Sequence, residues 1–256
     1  MTMRMRRAVR SMYFDGRLHP AACSIIRWQT VSKVQERSCT VPFIADESEG
    51  EVTFANVVDS AVARVCTAIA DARFAIVPDF LPAPVVASLA AEARRRDASG
   101  EFRAARIGRG KDRVERSDIR SDRTLWLDEY SPAPAERLLW SALETLRVGL
   151  NESTYLGLFA FEGHYALYPP GAFYRRHRDC LRDDDARVLS CVIYLNEAWT
   201  AADGGALRLH VSAGDARDIL PDGGTLVCFL ADRYDHEVLP ATRERLAVTG
   251  WFRRRS

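Results

Sequence analysis

Residues 225–254 read TLVCFLADRYDHEVLPATRERLAVTGWFRR. Three short runs, TLVCFLA, HEVLP and RLAVTGWFRR, are rich in β-branched and aromatic residues and are broken by Asp, Arg and Pro. Runs of this length with such punctuation predict strands, not helices. The same texture extends back to Tyr155. YLGLFAFEGHYALY, AFYRRHRD, RVLSCVIYLN, GALRLHV and ARDIL bring the expected strands to eight. Eight short strands separated by turn residues predict an all-β barrel or jelly roll.

The chain ahead of Tyr155 has a different period. In FANVVDSAVARVCTAIADA (54–72), Val57, Val58, Ala61, Val65 and Ile69 recur at three- and four-residue intervals, which predicts a helix. RFAIVPDFL predicts a short strand that ends at a proline. Two proline-led segments, 82–96 and 132–150, predict further helices, because proline suits a helical first turn. Between them lies a long polar segment, 98–129, too long for an ordinary connection and therefore expected to be functional or mobile. Its Gly108-x-Gly110 lacks the strand-turn-helix setting of a nucleotide loop. Residues 1–50 have weak periodicity and are expected to be a poorly ordered extension. The expected domain spans 51–256, with helical support over 54–150 and a jelly-roll core over 155–253.

Composition sets limits on function. Hydrophobic residues make up 47% of 256, enough for a sizeable core. The net charge of +1 lacks the basic excess of a nucleic-acid footprint. No apolar run approaches the roughly 20 residues needed to cross a bilayer. The N-terminus carries four arginines before Asp15 and no secretory apolar stretch. An organelle presequence, a solvated tail and an upstream start all read this way. The six cysteines form no C-x-x-C pair, so a zinc ribbon has no support and a reducing, cytoplasmic compartment fits best.

The chemistry is concentrated in a few residues. On a strand, side chains alternate between faces, so His177 and Asp179 would point the same way. His236, just after the run TLVCFLA, is the best third donor. Two histidines and one carboxylate on one face of a metal leave three positions open, the ligand pattern of non-haem iron(II) oxygenases. Arg245, at the start of the final run, can present a planar fork to a carboxylate. Arg243 has the same parity and is a rival, but its place in a turn suits the barrel interior less well.

The segments YPPGAFYRRHRD, CVIYLNEAW, GGALRLH and HEVLPATRERLAVTGWF, with IGRG and SDIRSDRTLWLD upstream, carry a family likeness. Over about Phe74 to Arg253 the chain resembles the 2-oxoglutarate and iron(II)-dependent dioxygenases of the prolyl 4-hydroxylase type. That type includes the hypoxia-factor prolyl hydroxylases and their bacterial relatives. The resemblance implies a double-stranded β-helix core, with His177, Asp179 and His236 on iron and Arg245 on the distal carboxylate of 2-oxoglutarate. It also implies that Tyr194 donates to that carboxylate and that Tyr168 lines the pocket. Thr249 shares a strand face with Arg245 and would join it. An acid at 179 implies hydroxylation, not halogenation.

The implied reaction hydroxylates an unactivated C–H, with a prolyl residue in a protein as the expected substrate, and releases succinate and CO2. Dioxygen is consumed and ascorbate is expected to support activity. Bacterial relatives imply a target such as elongation factor Tu. Two alternatives stay open: hydroxylation of a free amino acid or small molecule, and a non-catalytic jelly-roll module that binds metal or ligand. Segment 98–129 corresponds to a loop that covers peptide substrate in this family. His164 and His210 are expected to be structural, with His210 near the active-site mouth as a second option. Cys180 is expected to be exposed, Asp183–Asp185 to form a solvated turn, and Trp126, Trp140, Trp199 and Trp251 to pack in the core.

Overall fold

A computed structural model describes residues 53–107, 114–180 and 186–255. The expectations for residues 1–50, for Gly108 and Gly110 and for Asp183–Asp185 lie outside the described residues. Gly50–Ser256 forms one compact unit.

Three helices precede the strand series. Helix α1 (Phe54–Ala72) is capped by Thr53, whose hydroxyl accepts from the Asn56 N–H, and ends where Arg73 turns left-handed. Helix α2 (Ala83–Ala98) has Pro84 in its first turn and Arg95 and Arg96 in its last, where cations complement the helix dipole. Helix α3 (Pro134–Thr154) starts on its proline and buries Leu139, Leu143, Leu146 and Leu150 on one face.

The eight predicted strands are all present: β4 (Ala160–Tyr168), β5 (Tyr174–His177), β6 (Arg187–Tyr194), β7 (Leu207–Ser212), β8 (Asp215–Ile219), β9 (Leu226–Leu230), β10 (Asp235–Val238) and β11 (Arg245–Arg253). Three more come earlier: β1 (Phe74–Val77), β2 (Arg103–Ala104) and β3 (Arg123–Trp126). Two antiparallel sheets result, ordered β1-β9-β6-β11-β4-β3-β2 and β5-β10-β7-β8. This is the double-stranded β-helix core, backed by the N-terminal helices.

Part of the polar segment 98–129 is thus ordered sheet. β3 pairs with β4, matching Trp126 to His164 and Thr124 to Ala166. Only two and four residues long, with half-buried or exposed side chains, β2 and β3 give no apolar run for sequence reading to detect.

Alternation along the large sheet divides the core in two. Tyr165, Leu167, Cys191, Ile193, Cys228, Leu246 and Val248 face the helices. Ala166, Tyr168, Val192, Tyr194, Val227, Phe229 and Ala247 face the small sheet. Such period-two separation follows from the pleat. At the tightest point β11 and β4 pair Gly250 with Gly163. A Cβ on Gly250 would come within 2.3 Å of the Phe161 ring and 2.5 Å of the Glu162 carbonyl, so only glycine fits there.

Candidate active site

Two histidines meet because two short strands pair. β5 and β10 run antiparallel with His177 opposite His236, and the ring centroids lie 4.2 Å apart. The His177 Nδ1 lies 2.8 Å from the Arg175 carbonyl, and His236 Nδ1 lies 3.5 Å from the Tyr234 carbonyl. Both Nε2 atoms are thereby turned to one point, since metal-ligating histidines commonly give their other ring nitrogen to a carbonyl or carboxylate that fixes the ring. Asp179 supplies the third donor. β5 ends at His177, so Asp179 sits in a bend just past the strand instead of within it. Its Oδ1 lies 3.5 Å from His177 Nε2 and its Oδ2 lies 3.6 Å from His236 Nε2. Ser190 on β6 fixes the carboxylate by donating to Oδ2 at 2.7 Å.

The protonation states suit a cation. Burial opposes charge on Asp179, but His236 nearby, with hydrogen bonds from His177 and Ser190, holds the carboxyl well below the usual carboxylate range. Burial pushes His236 down to about 4, against the pull of Asp179, so its imidazole is neutral at pH 7. The donor set is two imidazoles and one carboxylate, and one ligand atom from each lies within 4.8 Å of the others. Donors about 2.1 Å from a shared ion stand about 3 Å apart when at right angles, so a small contraction closes the set. These residues fit the iron(II) centre of the facial-triad type.

Arg245 opens β11 at 2% exposure. Its Nε donates to the Gly205 carbonyl at 2.9 Å, and its guanidinium lies 5.0 Å from the Tyr168 ring and 5.1 Å from the Tyr194 ring. It pairs with no carboxylate among the described residues. A buried unpaired cation is costly unless an anion joins it. The Tyr194 hydroxyl beside it is shut off from solvent with no well-formed hydrogen bond among the described residues, and burial pushes its pKa up to about 12 against the pull of Arg245. A cation and an orphan hydroxyl in one buried corner fit a dicarboxylate's free end. The rival Arg243 is half-exposed, donates to the Glu197 and Ala198 carbonyls, and stacks over Trp199. It fastens a turn.

A cavity of about 940 Å³ opens over the triad. Tyr168 and Thr249 line it, as do His177, Asp179 and His236, whereas Arg245 and Tyr194 lie deeper. Segment 98–129 contributes Arg103, Ile107, Arg120 and Trp126 to the wall. Trp126 is therefore not core: it is 46% exposed at the cavity rim. Trp199 and Trp251 are buried and Trp140 is half-buried. His210 pairs with Glu237 at 3.1 Å and does not line the cavity. Cys180 is half-buried, and its N–H donates to the Ala231 carbonyl.

Several contributing residues had no role assigned from sequence. Ser190 is one. Another set is a stack: Arg120 lies over Tyr174 at 4.3 Å, and Tyr174 stacks on His177 at 3.6 Å. Asp122, 2% exposed, holds Arg120 through a two-pronged pair at 2.6 and 2.8 Å. The only signal for this pair was the spacing of Arg120 and Asp122 within SDIRSDR.

Comparison with known proteins agrees with this geometry. The model of the 2OG-Fe(II) oxygenase superfamily matches residues 163–253. A Pseudomonas putida prolyl-4-hydroxylase structure is 47% identical, with a TM-score of 0.70, covering 76% of this chain and all of that one. A Trichoplax adhaerens prolyl hydroxylase, solved with a hypoxia inducible factor peptide fragment, is 26% identical. Its TM-score is also 0.70, over 80% of this chain and 94% of that one. The hypoxia-inducible factor prolyl hydroxylase of Caenorhabditis elegans is 32% identical over 70% of this chain. The chain spans 26% of that curated relative's length.

Proposed function

The chain belongs to the 2OG-Fe(II) oxygenase superfamily, and on that premise we propose that it hydroxylates prolyl residues within a polypeptide. Iron(II) with 2-oxoglutarate and dioxygen supplies oxidation of an unactivated C–H bond, with release of succinate and CO2. The protein's own side chains do the rest. In this reading His177, Asp179 and His236 hold the metal, and Ser190 keeps Asp179 turned toward it. Arg245 binds the distal carboxylate of 2-oxoglutarate and Tyr194 donates to it. Tyr168 and Thr249 form the wall between that corner and the open cavity.

The observation that carries the reading is the joint presence of the three donors and, across the two sheets, a buried arginine that meets no carboxylate among the described residues. A cavity of about 940 Å³ is roomy enough for a chain segment, which favours a polypeptide over free proline. The Trichoplax neighbour, solved with a peptide, supports the same choice. Elongation factor Tu is the first polypeptide to test, because the Pseudomonas relative is bacterial.

The deciding experiment incubates bacterial lysate with enzyme, iron, 2-oxoglutarate, ascorbate and labelled dioxygen, then maps products by mass spectrometry. One labelled oxygen on a prolyl residue of a protein, absent with His177→Ala, is the expected result. Label on free proline or another small molecule would overturn the polypeptide substrate. Absence of succinate under every condition would leave a binding module.

A further inference from the structure

The inner face of the large sheet holds polarity that the metal and co-substrate corners do not use. His164 sits in the middle of β4, 4% exposed, on the cavity wall. Trp126 on β3 approaches its ring at 5.0 Å between centroids, and Trp251 on β11 does so at 5.7 Å. Arg187 on β6 stacks over Trp251 at 3.5 Å. The Nδ1 of His164 is shut off from solvent and has no hydrogen-bond partner among the described residues. Burial pushes its pKa down to about 4, with Arg120 acting in the same direction, so the ring is neutral at pH 7.

Buried imidazoles are ordinarily hydrogen-bonded, and an unpaired one carries a desolvation penalty with no return. Orphaned buried N–H groups are rarer than orphaned acceptors. Nδ1 therefore keeps its lone pair against the wall, and Nε2 bears the hydrogen toward the cavity. The register sets the distance from the chemistry. His164 pairs with Thr249 across β4 and β11, and Trp251 pairs with Ser190 across β11 and β6. Two interstrand steps of about 4.8 Å, with two residues of about 3.4 Å along β11 from Thr249 to Trp251, put His164 roughly 12 Å from Ser190, the anchor of Asp179. Extended chain covers that span in about four residues.

We propose that His164 is a specificity-determining residue whose Nε2–H donates to a backbone carbonyl of the polypeptide substrate, within about four residues of the target proline. A neutral donor suits a carbonyl, whereas the carboxylate of a free amino acid would call for a cation. The inference rests on the polypeptide reading above.

The test uses the full chain and, as probe, the prolyl protein labelled by the wild-type enzyme in lysate. His164→Leu keeps volume and removes polarity, and His164→Gln restores a donor. Expected for His164→Leu is a KM for that protein raised about tenfold, the loss of one ordinary hydrogen bond. Its kcat should be little changed, and manganese and 2-oxoglutarate affinities by calorimetry should match wild type. Its Tm should hold or rise, because an unpaired buried group has gone. His164→Gln should recover part of the KM. A KM within twofold of wild type together with a lower Tm marks His164 as structural and refutes the inference. Equal KM increases in both variants refute the hydrogen bond. If wild-type enzyme labels no polypeptide, the underlying reading falls and this inference falls with it.

Discussion

Replacing Ser190 by alanine probes how much of the metal site is set by a residue that is not a donor. Ser190 is 2% exposed, and its hydroxyl reaches Asp179 Oδ2 at 2.7 Å. The substitution removes one oxygen and leaves no void worth a methyl group, so packing loss is small. A hydrogen bond to a charged group contributes about 1.5–3 kcal/mol. At about 1.4 kcal/mol per decade, a carboxylate freed to rotate lowers metal affinity about ten- to a hundredfold. Anaerobic calorimetric titration with iron(II), repeated with manganese(II), measures this directly. His177→Ala gives the reference for losing a ligand outright. Affinity within twofold of wild type in Ser190→Ala would refute the claim that β6 orients the carboxylate.

Two further outcomes follow from buried charge. Arg245→Leu removes a buried cation that no carboxylate meets among the described residues, so Tm without ligand should not fall; calorimetry should find 2-oxoglutarate binding weakened at least about a hundredfold. Stability in the metal-free protein should drop as pH falls from about 6.5 toward 4. Unfolded chain takes a proton at His164 below its ordinary value of 6.5, while folded chain resists until about 4. The folded state gains from this group above 6.5 and loses the gain on acidification, by about 3 kcal/mol in full. Urea unfolding across that range should show a shallower slope in His164→Leu, and an unchanged slope would rule out a buried neutral imidazole.

Much of the architecture was legible in the sequence because its signals are local. Each of the eight strands after Tyr155 carries its own apolar alternation and its own turn residues. Helix α1 was legible to its first and last residue because one apolar face repeats without interruption. The donors His177, Asp179 and His236, with Arg245, stood out through residue type and placement beside strands. What escaped reading was non-local. Strands β2 and β3 gain their identity only by pairing with β4. Trp126 looked like core because tryptophan usually is, yet β3 lies near the sheet edge and turns it to the cavity rim. Ser190 becomes a support only when β6 folds beside the bend after β5. No alternation pattern distinguishes an imidazole that is satisfied from one that is not, so His164 read as plain structure.

The pairing of β5 with β10 has a consequence for how this scaffold tolerates change. On the outer side of the small sheet, Asp235 accepts from both Arg176 and Arg178, the neighbours of His177, and so stitches the two strands from behind. The β7–β8 hairpin can therefore gain or lose residues at its tip without moving the two imidazoles. A slip of a single residue between β5 and β10 would instead swing one imidazole outward and an arginine into its place. Length variation should be harmless at the β7–β8 turn and lethal at that one seam.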